Sequence, residues 1–595
     1  MARLDYDGPA TLKANQLFRC RLAARIEEEI KAGGRLCVAS RHVSDIGDAQ
    51  SGDPGDVNHV AFRAIGPGGN AAGAVLELSP EGGQHPWNRG FTLRVSEGAL
   101  RPGDTVHIEM GARGGFRAQS FSEAKSGFRL GIRQAADAPW RVSPKESAAM
   151  FRVTGAEAAC ARAYVKDATG AGPAKTVCVK LEDAYGNIGV PSGPVALDIL
   201  LDDRTRLGRL EVPAGGVAET DLDLPVDGQW HELALSSEDG RFFARTNRFG
   251  PSPAPGLKAL FGDLHSQSGL CDGTNPPDHL YRYARTAAGL DFASVTSHDM
   301  EMDGRAWDEI RRATLQANDP GRFATILGYE WSGSTATGGD HNVYYRGDDG
   351  PLVRNCSLRH PWCAPEAPEE SQDLAQTISR LRREAGEFMV IPHGGGRRAN
   401  FGYYDPSVMP VFEIHSVHRN FEHLWREAVG RGLKMGLCGG SDDHRGAPGD
   451  CRLTARDRYF SGHCGLMGVY ARELARDALW EAVQRRHTFA TNGPHMVVHL
   501  GLESRIMGDE VAMKTGQTAV FRFGAVAHGF LDRLEMYRDL DLIGTFCAAD
   551  QQNRVTEYAG SLEDAVRPGP HFYWLKALQI DGGAAWTSPI FVVGE

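Results

Sequence analysis

Phe261-Gly-Asp-Leu-His-Ser-Gln-Ser-Gly-Leu-Cys-Asp-Gly273 is an apolar run that ends at a histidine and passes into a glycine-flanked aspartate. Leu290-Asp-Phe-Ala-Ser-Val-Thr-Ser-His-Asp299 repeats the pattern, again ending at a histidine. Between them Leu280, Tyr283, Ala284 and Ala287 fall at helical spacing, with Pro277 suited to the first turn and Gly289 to the position just past the end. Strand, helix and strand make one βαβ unit, whose two strands end on the same rim. Side chains gathered there can converge on one ion.

The same grammar continues down the chain. Strands are predicted at residues 324–327, 388–391, 411–414, 435–438 and 466–470, and helices at 306–316, 374–384, 421–431 and 474–486. Alternation of this kind predicts an α/β core, either a barrel of parallel strands or a doubly wound sheet. Before it, Gly250-Pro-Ser-Pro-Ala-Pro-Gly256 is a boundary that neither helix nor central strand can cross, because each proline fixes φ and removes a donor. Upstream, helical spacing is confined to residues 12–32. The rest reads as short alternating strands punctuated by Gly and Pro, and the strand 176–182 ends in an Asp-Ala-Tyr-Gly-Asn turn of the kind found in immunoglobulin-like modules. Beyond Gly493-Pro494 the strand pattern returns at 496–500, 519–525, 534–537 and 572–577. The expected organisation is an N-terminal β-rich domain (1–148), an immunoglobulin-like domain (149–250), an α/β core (257–492) and a C-terminal β-sandwich (493–595).

Composition narrows the functions. Net charge is −11, which argues against broad binding to a phosphate backbone and against nucleic acid as a partner. No apolar signal segment opens the sequence and no run of eighteen apolar residues occurs, so a soluble, cytoplasmic protein without membrane contact is expected. The eleven cysteines lack CxxC spacing and are expected to be free thiols.

The polar residues at the predicted strand ends carry the chemistry: His265, Asp272, His298, Glu330, His341, His393, His415 and Asp442-Asp-His444. Imidazole and carboxylate are ligands for Zn, Mn or Fe, and a bridging carboxylate can hold two ions. Taken singly, each has a plain structural alternative. His415, His418, His423 or His463 would ordinarily be hydrogen-bonded structural residues, Asp299 and Asp303 would cap helices, and Glu330 would be an exposed loop residue. As a set they have no shared structural reason to cluster, because unpaired charges on one rim repel.

In their order these residues resemble the PHP superfamily, the polymerase and histidinol phosphatase domain, over residues 258 to about 490. The matching pieces are Asp263-Leu-His265-Ser-Gln267, Thr296-Ser-His298-Asp299, Glu330, His341, Pro392-His393-Gly394 and Asp442-Asp-His444. The resemblance implies a distorted (β/α)7 barrel with two or three divalent metal ions (Mn, Zn or Fe) held by His265, Gln267, Asp272, His298, Glu330, His341, His393, Asp442 and His444. The flanking β domains resemble a branch of that superfamily with β-sandwich additions. Gln267 departs from the pattern, which has a second histidine there. An amide oxygen is the weaker ligand, so two firmly held metals are expected more than three.

The expected function is a phosphoesterase in which Glu330 bridges two ions and a metal-bridging hydroxide attacks a small anionic phosphate ester. Arg397 and Arg398 are candidates to grip the phosphate, with solvated surface arginines as the alternative. His418 is a candidate acid for the leaving group, with a packing role before the following helix as the alternative. Glu413 and His415, two apart on a strand, are expected to face one side as a substrate-facing or supporting pair. Two rivals stay open: hydrolysis of a lactone, amide or carboxyl ester on the same metals, and a degenerate, non-catalytic ligand-binding protein. The loop 346–371, with Cys356 and Cys363, is a candidate lid, with an ordinary insertion as the alternative.

Overall fold

The computed structural model describes residues 3–79, 82–143, 149–355, 371–451, 464–547 and 554–595. Most of the predicted lid and His463 lie outside the described residues. Two compact units emerge: residues 1–159, 182–192 and 272–275 form the first, and residues 160–181, 193–271 and 276–595 the second.

The first unit is built of β-strands. Arg3–Asp7, Cys20–Arg25, Thr105–Met110 and Val60–Ile65 pair antiparallel in one sheet. Ala149–Thr154, Glu123–Arg133, Arg35–Ser40 and Arg89–Leu100 run side by side in another. Leu22, Leu36, Leu93, Val106 and Leu130 belong to its core. The helical spacing over residues 12–32 does not produce a helix. Residues Cys20–Arg25 alternate between buried and exposed, and that period of two, with partners on both sides, favours the strand. The Asp-Ala-Tyr-Gly-Asn segment forms the expected turn. Asp183 Oδ1 accepts the Tyr185 and Asn187 N–H groups at 2.8 and 2.9 Å, and Gly186 takes φ +87°.

The second unit opens with further β-strands. Cys160–Val165, Ala174–Glu182 and Val217–Asp223 form one small sheet, and Val195–Leu201 pairs with Thr205–Val212 and Leu233–Ser237 in another. Its centre is Lys258–Asp263, parallel to Phe292–Ala293, which is parallel in turn to Ala324–Thr325. On its other side Lys258–Asp263 runs antiparallel to Leu466–Ala471. That sheet continues through Thr488–Thr491 and Ala584–Thr587 to Gly569–Gln579 and Leu531–Arg538. Val497–Leu502, Thr518–Val526 and Glu557–Ala565 form a separate sheet, and Leu500, Phe521, Leu534, Leu575 and Ile590 share one core.

The polar rim depends on how the remaining strands are paired. Leu327–Ser332, Asp340–Tyr345 and Phe388–Pro392 form an antiparallel run, so the core is not a uniformly parallel set of strands. Only residues 333–339 separate the first two strands, too few for a parallel crossover. Val411–Ser416 is parallel to Gly436–Gly439. Single parallel bridges then join the strand ends: His298 to Glu330, His393 to Glu413, and Ser266 to Asp443. Followed from neighbour to neighbour, these pairings return to Lys258–Asp263. Helices Gly304–Ala317, Leu374–Glu384, Glu422–Gly430 and Arg476–Gln484 fall close to their predicted positions. Each buries an apolar stripe, and Asp303 caps the first by accepting the Ala306 N–H at 2.8 Å.

One expectation about cysteines is overturned. Cys451 and Cys464 form a disulfide with Cα atoms 5.2 Å apart, a pairing that their separation of 13 residues in sequence does not announce. Cys20, Cys37, Cys178, Cys438 and Cys547 are free thiols, and Cys356 and Cys363 lie outside the described residues. Among the described residues no helix is long and apolar enough to cross a membrane.

Candidate metal centre

Glu330 is the hub of the rim. It is 1% exposed, and its carboxylate meets three histidines and an amide. Oε1 stands 3.1 Å from His393 Nε2, while Oε2 stands 3.3 Å from His265 Nε2, 3.2 Å from His298 Nδ1 and 2.5 Å from Gln267 Nε2. His265 Nε2 also lies 3.2 Å from Asp442 Oδ1. Ligand atoms of His265, Glu330 and His393 all lie within 4.8 Å of one another, close enough to hold one ion.

The charges in this cluster are mutually dependent. Burial alone would raise the pKa of Glu330, yet His298, His265 and His393 hold it well below the usual carboxylate range. Burial opposes the charged form of Asp442 too, and His265, His418 and His444 outweigh it. For His265 burial works toward neutrality, but Asp442, Glu413 and Glu330 raise its pKa well above the ordinary value of 6.5. A dication at this centre would compete with the His265 proton that these carboxylates favour.

Supporting contacts aim the imidazoles. Glu413 Oε2 lies 2.9 Å from His265 Nδ1, so the ring turns Nε2 toward Glu330, the arrangement by which a carboxylate orients a metal-ligating histidine. Carbonyls do the same for His444, whose Nδ1 is 2.8 Å from Asp442 O, and for His341, whose Nδ1 is 3.2 Å from Gly339 O. Asp263 is fully buried. Its Oδ1 accepts the His265 and Ser441 N–H groups, fixing the two loops that bring His265 and Asp442 together, and burial pushes its pKa to about 7. Asp442 itself sits at φ +53°, a left-handed conformation tolerated best by Asn and Asp among residues with a Cβ.

Gly440 is required for the Glu413–His265 contact. A Cβ there would stand 2.2 Å from Glu413 Oε2 and 2.9 Å from His265 Cβ. Gly440→Ala is therefore expected to displace the orienting carboxylate and destabilise the protein by about 1–3 kcal/mol. Thermal unfolding beside metal titration checks this: a variant with unchanged Tm and unchanged metal uptake would contradict the proposed packing.

The predicted site residues fare differently. His265, Glu330, His393 and Asp442 are brought together, with His298 beside Glu330. His418 joins them, its Nε2 3.0 Å from Asp442 Oδ2, and it packs against Gly395, where a Cβ would lie 2.5 Å from its Cδ2. His341 pairs in the sheet with Trp331, so the pleat turns it to the face opposite Glu330, outside the close group, and burial lowers its pKa to about 3. Asp272 belongs to the first unit, where its Oδ2 is 3.4 Å from His85 Nε2.

Gln267 is not turned as a ligand. Its Oε1 accepts the backbone N–H of His298 at 3.1 Å, which fixes the amide orientation and leaves Nε2 to donate to Glu330. Glu413 and His415 do not share a face, because a bulge between them breaks the alternation: Glu413 reaches His265 while His415 stacks on Trp586 at 6.4 Å. Arg397 is tied to buried Asp340, with Nε 2.7 Å from Oδ1, and Arg398 pairs at the surface with Glu427 at 2.6 Å. Asp299 caps no helix through its side chain; instead its carboxylate accepts the Ser332 and Asn355 N–H groups at 3.0 and 2.6 Å. His423 is exposed on its helix.

Sequence reasoning missed Asp263, Asp340 and Asn342. The two aspartates act through backbone and arginine contacts that no spacing signals. Asn342 is fully buried, directly opposite Glu330 in the sheet, and neither its Oδ1 nor its Nδ2 has a hydrogen-bond partner. A buried amide left in that state costs about 1–3 kcal/mol.

The donor set fits divalent metal: imidazoles with one nitrogen anchored and the other turned inward, a shared carboxylate, and Asp442 Oδ1 buried without a hydrogen-bond donor.

Comparison with known proteins places the chain among poorly described relatives. A family model described as a protein of unknown function, DUF3604, matches residues 272–403 and 443–518. An uncharacterized protein of Chlamydia pneumoniae is 23% identical over 374 residues, covering 57% of this chain and 58% of that protein. An uncharacterized protein of Chlamydia trachomatis serovar D is 24% identical over 375 residues, covering 56% of this chain and 57% of that protein. The chain therefore spans less than two thirds of the length of these curated relatives. Among solved structures, a two-domain protein of Bacteroides vulgatus ATCC 8482, titled as containing a predicted PHP-like metal-dependent phosphoesterase, is similar at 15% identity and a TM-score of 0.31, covering 57% of this chain and 97% of that one.

Proposed function

We propose that the second unit is a PHP-type metal-dependent hydrolase acting on a small phosphate ester. The observation that carries this reading is Glu330, a buried carboxylate shared by His265, His298 and His393 with Asp442 beside them. The closed circuit of strand pairings supports the distorted barrel that the sequence motifs imply.

Divalent ions at this centre would supply Lewis acidity and an activated water. His265, Glu330, His393 and Asp442 would hold them, with His298 and His444 completing the set. His341, turned to the opposite face of its strand, stands outside this set. Glu413 orients His265, and Gln267 steadies Glu330. His418 is the group placed to move a proton. Burial disfavours its charge, but Asp442 raises its pKa above the ordinary value, so it can carry a proton near neutral pH. Arg397 retains terminal N–H donors beyond the Nε used by Asp340, and its side chain is 29% exposed. Arg398, paired with Glu427 at the surface, has no comparable link to the centre.

Metal-loaded protein assayed against phosphomonoesters, phosphodiesters, lactones and carboxyl esters tests the reaction class. Phosphate-ester turnover that disappears with chelator supports the reading. Turnover of carbonyl substrates alone would replace it with the carbon-centred alternative, and stoichiometric metal without turnover would favour a binding role. Arg397→Ala is expected to raise KM for an anionic ester by about tenfold, as for loss of a charge-assisted hydrogen bond, while Arg398→Ala changes it less than about twofold. Equal effects from the two would remove Arg397 from the substrate site.

A further inference from the structure

We infer that Asn342 is a further residue of the metal centre, a positioning group whose amide finds its partners only when the centre is filled. The inference rests on the metal-centre reading above and extends it to a residue that carries no metal-binding motif.

The sheet register supplies the direction. Asn342 pairs with Glu330 on one side and Ile391 on the other, and directly opposed residues share a face. Tyr344, two residues on, lies on that face and packs in one core with Met389, Ile391, Val411 and Leu260. Trp331, Val343 and Tyr345 fill a different core on the other face. Asn342 therefore stands between the apolar interior and the carboxylate of Glu330, next to the place where an ion would sit.

The rest follows from satisfaction of polar atoms. The large majority of buried side-chain polar atoms in native proteins have a hydrogen-bond partner. Asn342 is 0% exposed, and both its side-chain polar atoms lack a partner. The neighbouring amide of Gln267 shows the contrast, since Glu330, His298 and Cys271 engage both its ends. A leucine at position 342 would fill the same space at no polar cost, so the amide serves a partner absent from the protein chain itself. A divalent ion, or a water that the ion carries, offers what the amide needs: a cation for Oδ1, or a water oxygen for Nδ2.

Asn342→Leu in the full chain tests this with Mn2+ or Zn2+ as probe, followed by thermal unfolding in chelator and by metal titration. The metal-free variant should melt at a temperature equal to or above that of the metal-free wild type, because an unsatisfied group has been removed. Its metal affinity should fall by about 10-fold to 100-fold, the range for lost supporting contacts at metal sites, with Asn342→Gln recovering part of the loss. A metal-free variant that melts lower, with metal affinity unchanged, would overturn the inference and make Asn342 a structural residue bonded to trapped water. A wild-type protein that takes up no metal would overturn the metal-centre reading, and this inference with it; wild-type uptake that the variant matches removes only Asn342.

Discussion

Replacing Glu330 by glutamine is expected to strip the protein of bound metal and to lower hydrolysis by about 10³-fold or more, the scale of several kcal/mol of transition-state stabilisation. The reason lies in the number of groups that share this one carboxylate. His265, His298 and His393 approach it within 3.3 Å, and Gln267 donates to it. Glutamine keeps the volume but brings an NH2 donor where only acceptors serve, so at least one imidazole loses its partner and an ion loses its shared anion. Removing one member of a buried charge cluster costs roughly 3–5 kcal/mol, so the metal-free variant should also melt at lower temperature. Metal analysis, turnover and thermal unfolding of the same preparation check all three. A variant that keeps full metal content would show that Glu330 is not the hub.

Metal uptake should weaken steeply as pH falls. In the metal-free centre His265 holds its proton well above pH 6.5, because Asp442, Glu413 and Glu330 outweigh the effect of burial. An incoming ion must displace that proton, so affinity should rise about tenfold per pH unit for each proton released, up to the folded pKa. The stability of the metal-free protein should move oppositely over the same range. The raised His265 contributes fully below its unfolded value near 6.5 and ceases to contribute as pH climbs through the folded value. Glu330 and Asp442, held below their ordinary values of 4.5 and 3.8, contribute above those values and lose their contribution as pH falls through the folded ones. The metal-free protein thus has its widest margin between about pH 4.5 and 6.5, above the ordinary value of Glu330 and below that of unfolded His265, and metal should extend stability toward higher pH. Tm measured from pH 4 to 9, with and without chelator, checks the crossing. Parallel curves would mean that no proton is exchanged for metal.

Much of the buried cluster was legible because its residues fall where an apolar run stops. His265, His298, Glu330, His393 and Asp442 each end such a run or begin the loop after it, so the residue types and the strand pattern point the same way. The helices were legible for a related reason: amphipathic spacing marks residues such as Ile378 and Leu381, which the fold buries. What escaped depends on pairing partners far along the chain. The strand Asp340–Tyr345 follows a short loop, and its antiparallel turn sends His341 and Asn342 to opposite faces; the motif resemblance offered His341 among nine candidate ligands, and nothing in it pointed to Asn342. The bulge that separates Glu413 from His415 lies in their own strand, where two steps answer one step of Gly436–Gly439, and the spacing of the two residues does not announce it. Gln267 could be recognised as a departure, but its role as a donor to Glu330 depends on the backbone of His298, thirty-one residues away. The disulfide between Cys451 and Cys464 is likewise set by how the chain folds back.

The most direct test of the account is metal content per chain for wild type and Glu330→Gln, both purified without chelator and loaded with Mn2+, Zn2+ or Fe2+, with phosphate-ester hydrolysis read on the same samples. The account predicts at least one tightly held ion in the wild type, turnover that follows that ion, and loss of both in the variant. A wild type without bound metal, or one whose metal and turnover survive the loss of the Glu330 carboxylate, would contradict it.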